Sequence, residues 1–240
     1  MKRLFLICFL VLLSFFARSQ VIISLLFGDK LNSDKVFFGL ILGGGWNNLS
    51  GYSSSSSFFN FNLGLFLNLK MNDKVFIQFD AWAKYKMGAM GLPVYSLNDA
   101  TLDSLFKQGQ VERNIKYLSV ATTVQYRFYD YFSIETGPQI SIRTKATDIF
   151  SANPAGGDLR FNKDITEMST LFDVGALVGI TYQFQKGQGV KIGVREYFGL
   201  IDIFPAEPGN NLNRSFQINA YIPIGRYKAM ANKNAAGAVK

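Results

Sequence analysis

From Phe58 to Lys70 the chain reads FFNFNLGLFLNLK, with large apolar residues at every odd position from Phe59 to Leu69 and Asn60, Asn62, Gly64, Asn68 and Lys70 among the even ones. Side chains of a strand alternate between its two faces, so one face here is greasy and the other polar or small. After the turn Met71-Asn72-Asp73-Lys74 the pattern resumes as VFIQFDAWAKYKM. Val75, Ile77, Phe79, Ala81, Ala83, Tyr85 and Met87 form an uncharged row, and Phe76, Gln78, Asp80, Trp82, Lys84 and Lys86 form a row that carries every charge. A transmembrane β-barrel needs this repeat, because each strand shows lipid on one side and a polar interior on the other.

Eight such runs can be counted, over residues 36–47, 58–70, 75–87, 115–129, 132–147, 171–185, 190–203 and 215–224. They predict an all-β fold, an eight-stranded antiparallel transmembrane up-and-down barrel. The connections alternate in length: 71–74, 130–131 and 185–189 are tight, whereas 48–57, 88–113, 150–168 and 204–214 are long. Short turns on one rim and long loops on the other match the outer-membrane plan, short on the periplasmic side and long outside. An even strand number then leaves both termini in the periplasm. A soluble barrel of the lipocalin kind would reverse the faces. Glycines and small residues crowd the polar row, however, as a narrow interior requires. Glu196 alone resists, falling on the outward row; a bulge, a place near the outer rim or a slipped register would each account for it.

The first residues, MKRLFLICFLVLLSFFARSQ, combine two bases, an apolar run too short to span a bilayer and a small-x-small site before Gln20. The chain is expected to divide into a cleaved signal peptide (1–19), a periplasmic lead-in (20–35), the barrel (36–224) and a basic periplasmic tail (225–240). Cleavage removes Lys2, Arg3 and Arg18, so 25 bases against 17 acids become 22 against 17 and the net charge falls from +8 to +5. With Tyr227 the single aromatic residue among the tail's bases, that excess does not suit nucleic acid. The single cysteine, Cys8, lies in the leader, which leaves no disulfide or thiolate metal site beyond it.

Asn114-Ile115-Lys116-Tyr117-Leu118 leading into VQYRF, followed by FSIETGPQISIRTK, resembles the paired hairpin of the PorT-like outer-membrane β-barrel proteins of Bacteroidetes. LLFGDKLNSDK, LPVYSL and KATDIF are similar to a subgroup of that family. Ala121 stands where the family commonly has proline, and the chain runs on past Ile224 instead of ending on an aromatic strand. The resemblance implies the fold and the membrane; a role in protein secretion attaches to some members.

The chain contains no histidine, so Ser-His catalytic pairs and His-ligated metals cannot be assembled. No catalytic, cofactor or metal site is read from it. Asp80, Glu135 and Asp173 project inward among Lys70, Lys84, Lys86, Arg127, Arg143, Lys145, Lys191 and Arg195. Paired acids could serve an aspartyl-type protease, but acids confined beside bases are expected to form structural ion pairs. The expected lumen network is Asp80, Lys84, Arg127, Glu135, Arg143, Asp173 and Arg195, with Glu135 paired to Arg127 or Arg143. Three functions stay open: an interaction barrel working through long loops or its periplasmic face on an unidentified protein partner, a narrow anion-leaning channel, and a lipid-binding or enzymatic barrel.

Overall fold

The computed structural model describes residues 35–52, 56–153, 157–184 and 189–224. The expected signal peptide, nearly all of the lead-in, the tail and most of the 185–189 turn lie outside the described residues. Among the described residues nine strands form: β1 (Val36–Leu49), β2 (Phe58–Lys70), β3 (Val75–Leu92), β4 (Gln110–Tyr129), β5 (Phe132–Ala152), β6 (Leu159–Asp164), β7 (Phe172–Gln183), β8 (Lys191–Gly199) and β9 (Asn213–Pro223). Eight of them close a ring. Each pairs antiparallel with its neighbour in chain order, β5 with β7, and β9 returns to β1 through partners from Gly39↔Pro223 to Leu49↔Asn213. β6 lies outside the ring as a hairpin partner to the top of β5, from Thr147↔Asp164 to Ala152↔Leu159. Closure leaves no edge strand facing hydrocarbon, where an unpaired peptide group costs several kcal/mol.

Row chemistry follows the alternation. Leu65, Leu118, Val120, Val124, Ile134, Ile140, Val178 and Ile180 stand exposed on the outside, while Asn62, Gln78, Asp80, Gln125, Glu135, Gln139, Asp173 and Gln217 are buried inside. On β4 the outward row is uncharged from Leu118 to Phe128, ten residue steps that cover about 25 Å at about 3.3 Å per step and a tilt of about 40°. That is the height of a bilayer's apolar band. Aromatic rings gather at both limits of it. At the short-turn end Phe132 meets Tyr182 at 4.7 Å and Tyr182 meets Phe184 at 4.9 Å. At the long-loop end Trp46 meets Phe59 at 5.2 Å and Phe216 at 5.9 Å.

Two regions expected to be loops are built as strand. β3 runs on to Leu92, β4 begins at Gln110 and β5 reaches Ala152 before turning into β6. Alternation there is broken by one-residue bulges, so a single phase could not follow it. Gly64 pairs with Trp82 but Leu63 with Lys84, which passes over Ala83; Tyr117 pairs with Arg143 but Lys116 with Lys145, which passes over Thr144. Above each bulge the faces exchange. Tyr85, Met87 and Ala89 are therefore buried, contrary to the outward positions expected for Tyr85 and Met87, and Ala146, Asp148 and Phe150 are buried on β5.

Glu196 does face outward. The β7–β8 and β8–β9 registers pass through it unbroken, Val178↔Glu196↔Phe216, three residues short of the end of β8 at Gly199. Neither a bulge nor a slipped register is present at this point, and the residue lies toward the long-loop rim.

Leu65 on β2 is outward and Asn62 is fully buried. Leu65→Arg is expected to destabilise the barrel by about 2–4 kcal/mol if it sits near the bilayer midplane, measured by denaturant unfolding in lipid vesicles. A loss below about 0.5 kcal/mol would be that of an ordinary water-exposed surface site and would reverse the faces.

Candidate functional site in the barrel lumen

At the short-turn half of the lumen Arg195, carried by β8, lies between carboxylates from two other strands. Its Nη1 donates to Asp80 Oδ2 at 2.8 Å, and its Nε donates to Glu135 Oε1 at 3.0 Å. Its Nη2 lies 3.0 Å from the same Glu135 oxygen and donates to the Tyr221 hydroxyl. All three charged side chains are essentially inaccessible to solvent. The remaining carboxylate oxygens are satisfied by amides: Gln78 Nε2 donates to Asp80 Oδ1 and Gln125 Nε2 to Glu135 Oε2, each at 2.8 Å. Asn68 Nδ2 bridges the two glutamine carbonyls at 3.1 and 3.0 Å. Lys191 Nζ donates to Gln78 Oε1 and to Gln125 Oε1, and stands 4.3 Å from the centre of the Tyr221 ring. Two acids and two bases thus balance in one layer, which is how charges persist out of water.

Space for the guanidinium comes from Gly179 on β7. A Cβ there would lie 2.8 Å from Arg195 Cβ and 3.0 Å from Glu135 Oε1, so any side chain at this position would push against the ion pair.

A second polar layer lies nearer the long-loop end. Asn213 Nδ2 donates to Asp173 Oδ2 at 2.8 Å and reaches the Tyr117 hydroxyl at 3.2 Å; Gln217 Nε2 donates to the Tyr85 hydroxyl at 2.6 Å. Trp82 packs against Tyr85 with ring centres 5.7 Å apart. Asn47, Asn60 and Asn62 form a chain of amide hydrogen bonds across β1 and β2.

The structure therefore gathers Asp80, Glu135 and Arg195 from the expected network and separates the rest. Asp173 belongs to the second layer. Arg127 lies at the short-turn mouth, over the Phe76 ring at 4.7 Å and 3.4 Å from Gln183 Oε1. Arg143 points inward, but no carboxylate lies within ion-pair distance of it among the described residues, and its Nε and Nη1 have no hydrogen-bond partner. Glu135 pairs with Arg195 rather than with Arg127 or Arg143. Lys84 is not in the lumen at all: the bulge at Ala83 turns it outward opposite Leu63, its Nζ 5.4 Å from the Phe61 ring centre. Lys86 and Lys145 turn outward for the same reason. The bridging amides Asn68, Gln78 and Gln125 escaped sequence reasoning, although Gln78 sits two residues from Asp80 on the same inward row.

A recess at the short-turn mouth, lined by Asn68, Gln125, Arg127, Lys191 and Tyr221 among others, encloses about 20 Å³, enough for about one water molecule. The long-loop mouth is closed by Arg113. Its guanidinium grips Asp148 with two hydrogen bonds of 2.8 and 2.7 Å, and Nη1 donates to Tyr52 OH and to Glu207 Oε2, each at 2.8 Å. The Phe204 ring stacks below it at 4.0 Å. Tyr95 donates to Asp148 at 2.9 Å; burial and the neighbouring Asp148 carboxylate raise its phenol above the ordinary tyrosine range, so it stays a donor.

Over residues 29–205 the chain matches the model of the outer membrane protein beta-barrel domain, and it belongs to that family. Membership makes it a β-barrel of the Gram-negative outer membrane. Among solved structures it is similar to Ail, the attachment invasion locus protein of Yersinia pestis, at 11% identity over 80% of this chain and 99% of that one, with a TM-score of 0.43. It is also similar to the Neisserial surface protein A, at 11% identity over 77% and 96% with a TM-score of 0.42. For the outer membrane protein OprG of Pseudomonas aeruginosa the values are 15% identity, 78% and 91%, with a TM-score of 0.33. No curated protein matches the sequence.

Removing the shared cation should be the most damaging change in the lower layer. Arg195→Leu leaves two carboxylates buried without their partner and is expected to cost about 3–5 kcal/mol. Glu135→Gln should cost less, because an amide oxygen still accepts from Arg195 and Asp80 remains. Denaturant unfolding in lipid vesicles reads both, and an Arg195→Leu barrel as stable as its parent would show that the ion layer holds nothing together.

Proposed function

We propose that this protein is a sealed outer-membrane barrel that works as an interaction platform, presenting the structured long-loop face to a protein partner. One observation carries the reading: the described parts of the connections after β3 and β5 pack onto the upper ends of these strands as an aromatic cluster continuous with the buried core. Phe106 of the helix α1 (Ala100–Phe106) packs on Phe150 with ring centres 6.0 Å apart, and Phe161 of β6 lies 6.4 Å from Phe150. Asp99 caps α1 by accepting from the backbone of Thr101 and Leu102. Ordering loops costs conformational entropy, and ordered loops on a rigid scaffold are where recognition concentrates. The accessory role in protein secretion implied by the PorT-like resemblance would be one use of such a platform. A channel is disfavoured by the two packed polar layers and the Arg113 closure. Both termini, on this reading, lie in the periplasm.

Because the only cysteine is Cys8, single cysteines can report each rim. Lys107→Cys and Asp158→Cys on the long-loop side should react with a membrane-impermeant maleimide on intact cells, while Asn72→Cys and Asp130→Cys should not. Photo-cross-linkers at the first pair should then capture a discrete partner, and the reverse pattern would move the platform to the periplasmic face. In planar bilayers the purified barrel should show no steady conductance. A long-lived anion-selective open state that disappears in Lys191→Gln would make the protein a channel.

A further inference from the structure

Lys86 on β3, Lys116 on β4 and Lys145 on β5 stand side by side across three adjacent strands: Lys86 pairs directly with Lys116, and Lys116 directly with Lys145. All three face outward. Lys116 follows Leu118 on the outward row of β4, and Lys86 lies between the buried Tyr85 and Met87. Like charges directly opposite one another on neighbouring strands, about 4.8 Å apart, destabilise a sheet. Among the described residues the ion pairs of this row amount to a single loose one, Lys145 to Asp164 at 3.9 Å, with both side chains more than half exposed. The row exists because of two separate bulges. Without the extra residue near Ala83 Lys86 would point into the lumen, and without Thr144 Lys145 would do so. Two independent irregularities thus align three cations that the sheet by itself disfavours.

Their height is as specific as their alignment. Leu118 marks the top of the apolar band, and the next outward residue on β4 is Lys116, so the row sits at headgroup depth on the long-loop side. We propose that Lys86, Lys116 and Lys145 form a binding site for the phosphate groups of an outer-leaflet phosphorylated glycolipid of the lipid A type. Three ammonium groups spaced along about 10 Å can hold phosphate oxygens while the acyl chains lie against Leu118, Val120, Ile140 and Ile142 below, all exposed on the outer face. Lys84 adds a fourth outward cation on β3, over the Phe61 ring. The leaflet follows from the orientation proposed above; the binding itself does not, so a test in detergent fails or succeeds independently of the cysteine map.

The full-length protein, purified in a zwitterionic detergent, should be titrated with bisphosphorylated lipid A, with the same lipid stripped of both phosphates, and with inorganic phosphate. The parent is expected to bind the phosphorylated lipid and to discriminate strongly against the other two. The triple variant K86Q/K116Q/K145Q should bind it on the order of a hundredfold more weakly, since each base near an anionic surface contributes about fivefold. A triple Lys→Arg variant should retain binding. Heat-modifiable gel migration checks folding, and the glutamine variant should migrate as a folded barrel, its cross-strand repulsion having been removed. Equal binding of the dephosphorylated lipid, undiminished binding by the folded glutamine variant, or inorganic phosphate binding as tightly as the glycolipid would each overturn the assignment.

Discussion

Inside hydrocarbon each peptide N–H and C=O must find its partner within the protein, and this chain meets that demand by pairing β9 back onto β1. Much else follows from the closure. A ring of eight strands is narrow, so its inner face has to be filled with side chains rather than water. The inner residues are fixed by alternation to be those that cannot face lipid, which makes the filling polar. Arg195, Asp80, Glu135 and Lys191 are in that sense a product of the ring: confined there, Arg195 is held between the two carboxylates, Lys191 rests on a glutamine carbonyl, and the ion layer persists through these contacts.

Filling the lumen displaces function toward the rims and the lipid-facing wall. The wall is uneven, with β3, β4 and β5 running to 18, 20 and 21 residues against 12, 9 and 11 for β7, β8 and β9. The taller side carries β6, α1 and the aromatic cluster of Phe106, Phe150 and Phe161, and it is also the side whose outer surface bears the lysine row. A loop platform and a lipid contact on the same three strands would hold the platform at a set height and orientation in the membrane.

The number of ring strands, the faces of β2 and β4 and the inward positions of Asp80, Glu135 and Arg195 were all legible in the sequence, because a period of two needs only local composition. Which base meets which acid was not. Arg195 reaches Asp80 from the far side of the ring, 115 positions away in the chain, and nothing in either strand marks the partner. The bulges were hidden for a different reason. Near Ala83 the inserted residue lies in a stretch, AWAKYKM, that reads acceptably in either phase, since tyrosine and methionine suit a lumen as well as a membrane. β6 was overlooked because its run LRFNKD is short and holds its polar and apolar residues outside the band where lipid would sharpen the contrast.

Arg113 has a mechanical consequence beyond closing the mouth. Through Asp148, Tyr52, Glu207 and Tyr95 it ties β4 to β5 and to the connections after β1, β3 and β8. A pull on any one of those segments is therefore shared around the circumference instead of peeling a single hairpin from the wall. A rim built like a hub with spokes resists lateral load through the combined strength of its anchors. If that rim holds a partner as proposed, the weakest fastening would be the junction between the hub and the partner, which can part and rejoin without damage to the wall.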